Sequence, residues 1–383
     1  MRIILGAVVS IHPYSAGMAW NWMQYATGFR ALGHDVYFLE ELAPAWCTDA
    51  GGRRCGFEQS VNRAHFKTTM ETFGLMDRAC QIYDGGKKTS GLSFDAAIAA
   101  VTDADLLVNM SGHITSEAIL GRVKRRAYVD QDPVFTQLWH AEYGKDLNFK
   151  AHDVFVSVGL NIGTPHTPIP DCGLTWHHTV PPVVLDQWDP GGSVPGRYFT
   201  SIASWSGYCD LCYRGEWYRT KYEEFTRFAE LPRRADQPME LLLKSFRETD
   251  ERIHRLRANG WTLSDANRIG DLAGYQRYIA ASRAEIGIAK NAYVRGRSGW
   301  FSDRAAHYLA SGKPVLAQAT GFERCLPAGQ GLLAFETMED AVKGVDAINR
   351  DYEAHSRAAR QLAEEVLDYR KVLPKLLNDC FAG

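Results

Sequence analysis

The sequence predicts an α/β protein of two domains, each built on a mostly parallel sheet, with a cleft between them. Three observations carry that prediction. Strand and helix patterns alternate from the first residues, a dense cluster of breakers interrupts them near the middle, and the alternation then resumes. At 383 residues the chain is too long for one ordinary core, and domains of roughly 150–200 residues are the natural division.

Arg2–Val9 is predicted as a buried strand and Met18–Leu32 as a helix with Trp22, Tyr25 and Phe29 on one side. Gly33 closes that helix, and His34–Leu39 is the next strand. Phe94–Val101 reads as a helix, and Asp105–Asn109, Arg126–Asp130 and Val154–Val158 read as strands. The first domain is expected at residues 1–185. Pro181-Pro182, Asp189-Pro190-Gly191-Gly192 and Pro195-Gly196 then crowd together, a density that marks a linker at 186–196. The second domain, 197–355, opens with a strand at Tyr198–Ala203 and a helix around Lys221–Glu230. A strand at Glu240–Lys244, helices at Glu248–Ala258 and Leu272–Ser282, and a strand at Glu285–Ala289 follow. Met338–Leu377 is rich in Ala, Glu, Arg and Leu and predicts two helices, with 356–383 as a helical tail.

Bulk properties narrow the function. Hydrophobic residues at 45% and charged residues at 23% match a soluble globular protein. A net charge of −2 argues against a large nucleic-acid footprint or a polybasic membrane surface. Apolar runs such as Ile3–Val9 fall far short of the ~20 residues that span a bilayer. Met1–Gly6 lacks a small-residue cleavage site and reads as a strand, so a cytoplasmic location is expected. Of the cysteines, only Cys209 and Cys212 have C-x-x-C spacing, and no second pair completes a zinc site. Reduced thiols and no metal are expected, and a homo-oligomer is compatible with the composition. The adjacent His177 and His178 read as structural.

The most informative stretch is 297–322. It runs as a polar loop, an amphipathic helix, a Gly312-Lys313-Pro314 break, a short apolar strand and Gly321. A helix starting near Ser302 aims its free N–H groups and the positive end of its dipole at whatever fills the loop. Arg297 and Arg304 bracket that point, so an anion is the natural occupant, and a diphosphate suits two guanidinium groups. Ser298 and Gly299 would offer backbone N–H groups, glycine permitting close approach.

This stretch resembles the donor-binding loop and helix of GT-B glycosyltransferases, where a helix and then Ala-x-Gly-x-Pro-Val, here Ala310–Val315, precede a strand and a turn. Ser10–Met18, followed by Leu32-Gly33-His34-Asp35-Val36, resembles the family's first loop and helix ending. Tyr128–Pro133 is similar to a strand end in the bacterial glycosyltransferase family 1-like group, and Leu326–Phe335 to the strand after the donor turn. The resemblance implies the GT-B architecture: two Rossmann-like domains facing a cleft, with C-terminal helices packing back toward the first. It further implies sugar transfer from a nucleotide diphosphate sugar to an acceptor, with no metal or other cofactor. Retaining members often carry two glutamates across the donor helix, and here His307 and Gly299 stand at those positions.

Roles follow residue by residue. Arg304 and Arg297 would hold the diphosphate, with Lys244 and Lys290 in place of the usual basic pair. Thr320 and Gly321 stand where the sugar would lie, and Trp205 is placed to stack a nucleobase or sugar. The first loop, with Tyr14, Ser15 and Gly17, faces the acceptor. His12 at the first strand end is the candidate base of an inverting transfer. His113 and Asp132 are its rivals, and Asp130 an orienting group. A nucleotide-sugar 2-epimerase using Asp130 or Asp132 is the alternative enzyme, and a non-catalytic nucleotide- or carbohydrate-binding protein the alternative of another class. A dinucleotide dehydrogenase is disfavoured because no G-x-G-x-x-G follows the first strand.

Overall fold

The structure is a computed structural model and describes residues 1–190, 196–205, 207–244 and 246–382. Positions 191–195 of the expected linker lie outside the described residues.

The first sheet holds β1 (Arg2–Gly6), β2 (Asp35–Leu42), β3 (Ala79–Tyr83), β4 (Lys88–Gly91), β5 (Leu106–Met110), β6 (Arg126–Asp130), β7 (Val154–Ser157) and β8 (Trp176–His178). Their order is β4-β3-β2-β1-β5-β6-β7-β8, and only the β3–β4 pairing is antiparallel. Ile3 lies opposite Val36 on one side and Leu106 on the other. Ile3, Ile4 and Leu5 have no exposed surface. A central parallel strand is covered on both faces, and so its sequence is an unbroken apolar run rather than an alternation. Helices α1 (Ala16–Ala31), α2 (Val61–Thr72), α3 (Phe94–Thr102), α4 (Glu117–Leu120) and α5 (Phe135–Ala141) connect these strands.

The second half opens with β9 (Phe199–Ser204) and a small antiparallel hairpin, β10 (Leu211–Tyr213) with β11 (Glu216–Tyr218). Strands β12 (Met239–Lys244), β13 (Trp261–Asp265), β14 (Ala284–Gly287), β15 (Val315–Gln318) and β16 (Leu332–Phe335) join β9 in an all-parallel sheet. Its order is β13-β12-β9-β14-β15-β16. Around it stand α6 (Lys221–Arg227), α7 (Leu231–Arg234), α8 (Glu251–Ala258), α9 (Leu272–Ala281), α10 (Asn291–Arg295) and α11 (Asp303–Ala310). The chain closes with α12 (Met338–Arg350), α13 (Tyr352–Leu362) and α14 (Tyr369–Phe381).

Where two helices were expected from Met338 to Leu377, three form. A π-helical turn at Ala363–Leu367 ends the second, and the Asp368 side chain caps α14 by accepting from the Arg370 N–H. There the outgoing and returning chains run side by side. Val183 N–H donates to the Leu367 carbonyl at 2.7 Å, and Tyr369 N–H to the Val183 carbonyl at 3.0 Å. Helix α14 then packs on α1, so close that a Cβ on Gly28 would meet Leu373 Cδ1 at 2.7 Å.

This return explains why α1 is buried on nearly every side. Its predicted face, Trp22, Tyr25 and Phe29, enters the first core. On another side Trp20 packs against Phe73 and Trp188 in a core shared with the second half. A further shared core joins Phe135, Leu138, Phe149 and Trp176 to Leu211, Tyr213, Tyr218 and Tyr293.

Candidate active site

Both sheets reverse their strand order beside the first strand, at β1–β5 and at β9–β14. Open parallel sheets bind ligands at that crevice, beyond the carboxyl ends of the strands. Here the two crevices face one cleft of about 440 Å³. The loop after β1 and the turn after β6 supply one wall, through His12, Tyr14, Ser15, Gln131 and Asp132, with Gly17, Asn21 and Trp22 of α1. The ends of β9, β12 and β14 supply the other, through Trp205, Lys244 and Lys290, with Lys221, Asp303 and Arg304.

Helix α11 enters this cleft by its amino end, and its N-cap Ser302 makes no side-chain capping hydrogen bond. Arg304 lines the cleft, but its guanidinium is largely committed. Nε donates to Glu285 Oε1 at 2.5 Å, and Nη1 donates to the Ile202 carbonyl at 2.6 Å. Burial raises the Glu285 carboxyl despite this partner. Lys221 is the freer cation. It is 8% exposed and makes no hydrogen bond or ion pair with a described residue. Burial pushes its ammonium well below the ordinary lysine value, and Arg304 and Lys290 push it further. An anion between these groups relieves that repulsion.

Asp132 bridges the halves. Its Oδ1 accepts from Lys290 Nζ at 2.8 Å and from the Tyr293 hydroxyl at 2.7 Å, and its Oδ2 from the Tyr208 hydroxyl at 2.8 Å. Burial alone would raise this carboxyl, but Lys290 and the hydrogen bonds outweigh it and hold it below the ordinary range. Both oxygens are occupied, so Asp132 ties Lys290 to the first half instead of standing ready as a base. Asp130 is equally engaged, accepting from Thr136 Oγ1 at 2.6 Å, Ser157 Oγ at 2.8 Å and Gln137 Nε2 at 3.0 Å. The acids an epimerase would draw on are therefore spent.

His12 stands on the cleft wall, and its imidazole hydrogen-bonds no described residue. The surrounding protein, and then the Lys244 charge, lower its pKa, so at neutral pH it carries the free lone pair a base needs. Lys244 reaches the same loop, its Nζ lying 3.4 Å from the Pro13 carbonyl. His113 does not line the cleft. Desolvation by the surrounding protein lowers its pKa to about 4. Trp205 is buried, and its indole N–H donates to Asp250 Oδ2 at 2.9 Å. It lines the cleft.

The stretch predicted to cradle phosphate does something else. Arg297 points outward and Ser298 is buried, while Gly299, Thr320 and Gly321 lie off the cleft. Together they grip Asn161 of the first half, whose Nδ2 donates to the Arg297 carbonyl at 2.8 Å and to the Gly321 carbonyl at 3.4 Å. Asn161 N–H donates to the Ser298 carbonyl at 3.0 Å, and Gly299 N–H to the Thr320 carbonyl at 2.8 Å. A Cβ on Gly299 would stand 2.8 Å from Asn161 N, and one on Gly321 2.4 Å from Asn161 Nδ2. The glycines permit a clasp between halves, not an approach to ligand. His307 is sealed too, stacked on Trp188 at 4.3 Å, with the Tyr275 hydroxyl 3.2 Å from Nδ1.

Lys221, Asp303, Asn21 and Gln131 escaped the sequence reading. Lys221 was visible only as a helix start, Asp303 and Gln131 as ordinary polar residues at element ends, and Asn21 as one inside the first helix. Among the described residues there is no His, Cys, Asp and Glu group suited to a metal ion, and no helix is long and apolar enough to cross a membrane.

The glycosyl transferase-like family profile matches residues 233–377. No curated protein sequence matches the chain. Among solved structures, a glycosyltransferase from Rickettsia africae is 11% identical over 100% of this chain and 99% of that one, with a TM-score of 0.53. HepE of Anabaena in complex with UDP-glucose is 12% identical over 99% and 98%, with a TM-score of 0.56. An alpha-glucosyltransferase in complex with UDP and a DNA 13-mer is 12% identical over 99% of both chains, at 0.59. These likenesses give the whole chain the GT-B fold, and within its second half residues 233–377 match the glycosyl transferase-like family.

Proposed function

We propose that this chain moves a sugar from a nucleotide diphosphate sugar, held on the second half, to an acceptor hydroxyl presented by the first. The observation that carries the reading is the buried Lys221, without a partner among the described residues, beside the uncapped amino end of α11, both in the cleft. Backbone N–H groups and an ammonium converging on one space bind a diphosphate and stabilise the charge it gains on leaving. Arg304 adds to that field from its pair with Glu285. With the charge met this way, the transfer needs no metal.

In the reaction, the acceptor oxygen attacks the anomeric carbon while the bond from that carbon to the phosphate oxygen breaks. The bonding electrons leave with the diphosphate, and His12 takes the acceptor's proton. Attack opposite the leaving group inverts the anomeric centre.

Thermal-shift screening against UDP, dTDP, GDP and their sugars tests this, since a ligand of the folded state raises Tm. One nucleotide class is expected to stabilise the wild type, and Lys221→Ala to weaken it about tenfold or more, as the loss of a charge-assisted contact predicts. His12→Ala is expected to keep donor binding and lose turnover. Stabilisation by none of the nucleotides would sink the reading. Arg304→Ala is a poorer probe, because it strands the buried Glu285 charge at a cost of ~3–5 kcal/mol.

A further inference from the structure

We propose that Glu224 is a positioning residue: it fixes Lys221 against Lys290 at the cleft, through a buried clamp that only a carboxylate closes. The inference deepens the donor reading above and rests on it.

Glu224 is 3% exposed and stands behind the cleft wall rather than on it. It follows Lys221 by three residues on α6, so the two side chains share one face of that helix. Its Oε1 accepts from Asn291 Nδ2 at 2.7 Å, and its Oε2 from Gln318 Nε2 at 2.6 Å. Arg227 Nη1 reaches Oε2 at 3.4 Å from the solvent side, where its own side chain is half exposed.

Both amides are held in one orientation from behind. Gln318 Oε1 accepts from Ala289 N–H at 3.2 Å, and Asn291 Oδ1 from Arg219 N–H at 3.1 Å. A backbone N–H can only donate, so each amide must give its oxygen to the backbone and aim its NH2 at position 224. Two donors converge there, and a group with an acceptor on each arm is needed to meet both. A glutamine offers one acceptor and one donor, which would set two N–H groups against each other.

The clamp encloses Lys290. Ala289 and Asn291 flank that lysine, and Glu224 holds the first through Gln318 and the second directly. Lys290 Nζ is thereby aimed at Asp132 Oδ1, 2.8 Å away on the first half. The turn entering α6 is tied in as well, because Ala292 N–H donates to the Arg219 carbonyl at 2.9 Å. Lys221 and Lys290 carry like charge and repel each other. The clamp holds them near one another against that repulsion, and the space they share is where an anion is drawn most strongly.

Calorimetric titration with UDP, GDP, dTDP and their hexose conjugates tests the assignment, with urea unfolding of each variant beside it. For the ligand that the wild type binds best, Glu224→Gln is expected to lower affinity about tenfold. Glu224→Gln combined with Gln318→Glu moves the carboxylate across the pair and keeps every hydrogen bond to the amides and the backbone. That double variant should return to within about threefold of the wild type, since the half-exposed Arg227 pair contributes little. In a Lys221→Ala background the effect of Glu224→Gln should vanish, because it acts through that ammonium. A lower urea midpoint with unchanged affinity of the folded protein would mark a merely structural role and overturn the assignment. A tenfold loss that persists without Lys221, or a folded double variant that stays weak, overturns it too. Should Glu224→Gln not fold, Asn291→Ala, which opens one arm only, carries the same expectations. In each of these cases the donor reading stands, whereas failure of the wild type to bind any nucleotide overturns both.

Discussion

Glu40 has no exposed surface, yet it accepts hydrogen bonds from Val9 N–H at 3.2 Å, Ser10 N–H at 3.0 Å and the Ser10 hydroxyl. Gln81 Nε2 donates to that hydroxyl at 2.7 Å, and Asn62 Nδ2 to the Ser10 carbonyl at 2.7 Å. One carboxylate thus anchors the loop that carries His12. Burial raises its pKa from the ordinary 4.5 to about 7, against the pull of those donors. The sign follows directly. Between these values the folded chain holds a proton that the unfolded chain has lost, so the contribution to stability is complete below about 4.5 and declines as pH rises through 7. Glu40→Gln mimics the protonated form. In urea titrations at several pH values, the wild type's stability relative to this variant should fall from pH 5 to pH 8. A pH-independent difference would remove Glu40 from the titrating set.

At the scale of elements, the meeting of α1 and α14 is the most demanding contact. Gly28 supplies the gap, with Leu373 Cδ1 at 2.7 Å and Tyr369 Cβ at 3.1 Å from where a Cβ would sit. Gly28→Leu should force the helices apart, at a cost of about 1–3 kcal/mol typical of overpacking, read as a lower urea midpoint with unchanged m. Elements like α1 and β1 were legible because their side-chain period and end signals are local. The hairpin β10–β11 was not: its strands are three residues each, too short to show a period, and its aromatics read as a loop. The site divides in the same way. His12, Lys244 and Lys290 reach the cleft because strand ends converge there, which the alternation of elements already implied. Arg304 was read as a phosphate ligand because its partner, Glu285, lies on another strand. Gly299 and Gly321 were read as ligand cradles because a sequence shows that a backbone approaches something, but not that the something is Asn161.

Across the whole molecule, that clasp sets how the halves are held. Asn161 gives its two side-chain contacts to carbonyls of the other half. Asn161→Ala leaves those acceptors short of a donor, an expected loss of about 1–3 kcal/mol. Limited proteolysis should then cut the loop at 159–163 faster than in the wild type, and an unchanged rate would show that the shared apolar cores alone hold the halves together. The packing of α14 on α1 has a consequence for synthesis. Nascent chains emerge amino end first, and domains generally fold as they appear. Here the first half has to wait, because the surface of α1 that Leu373 and Tyr369 cover stays bare until the second half has been translated. The ribosome thus releases a protein whose first-made half is the last to be completed. A premature stop late in the message would damage the packing of the first half and spare the second sheet.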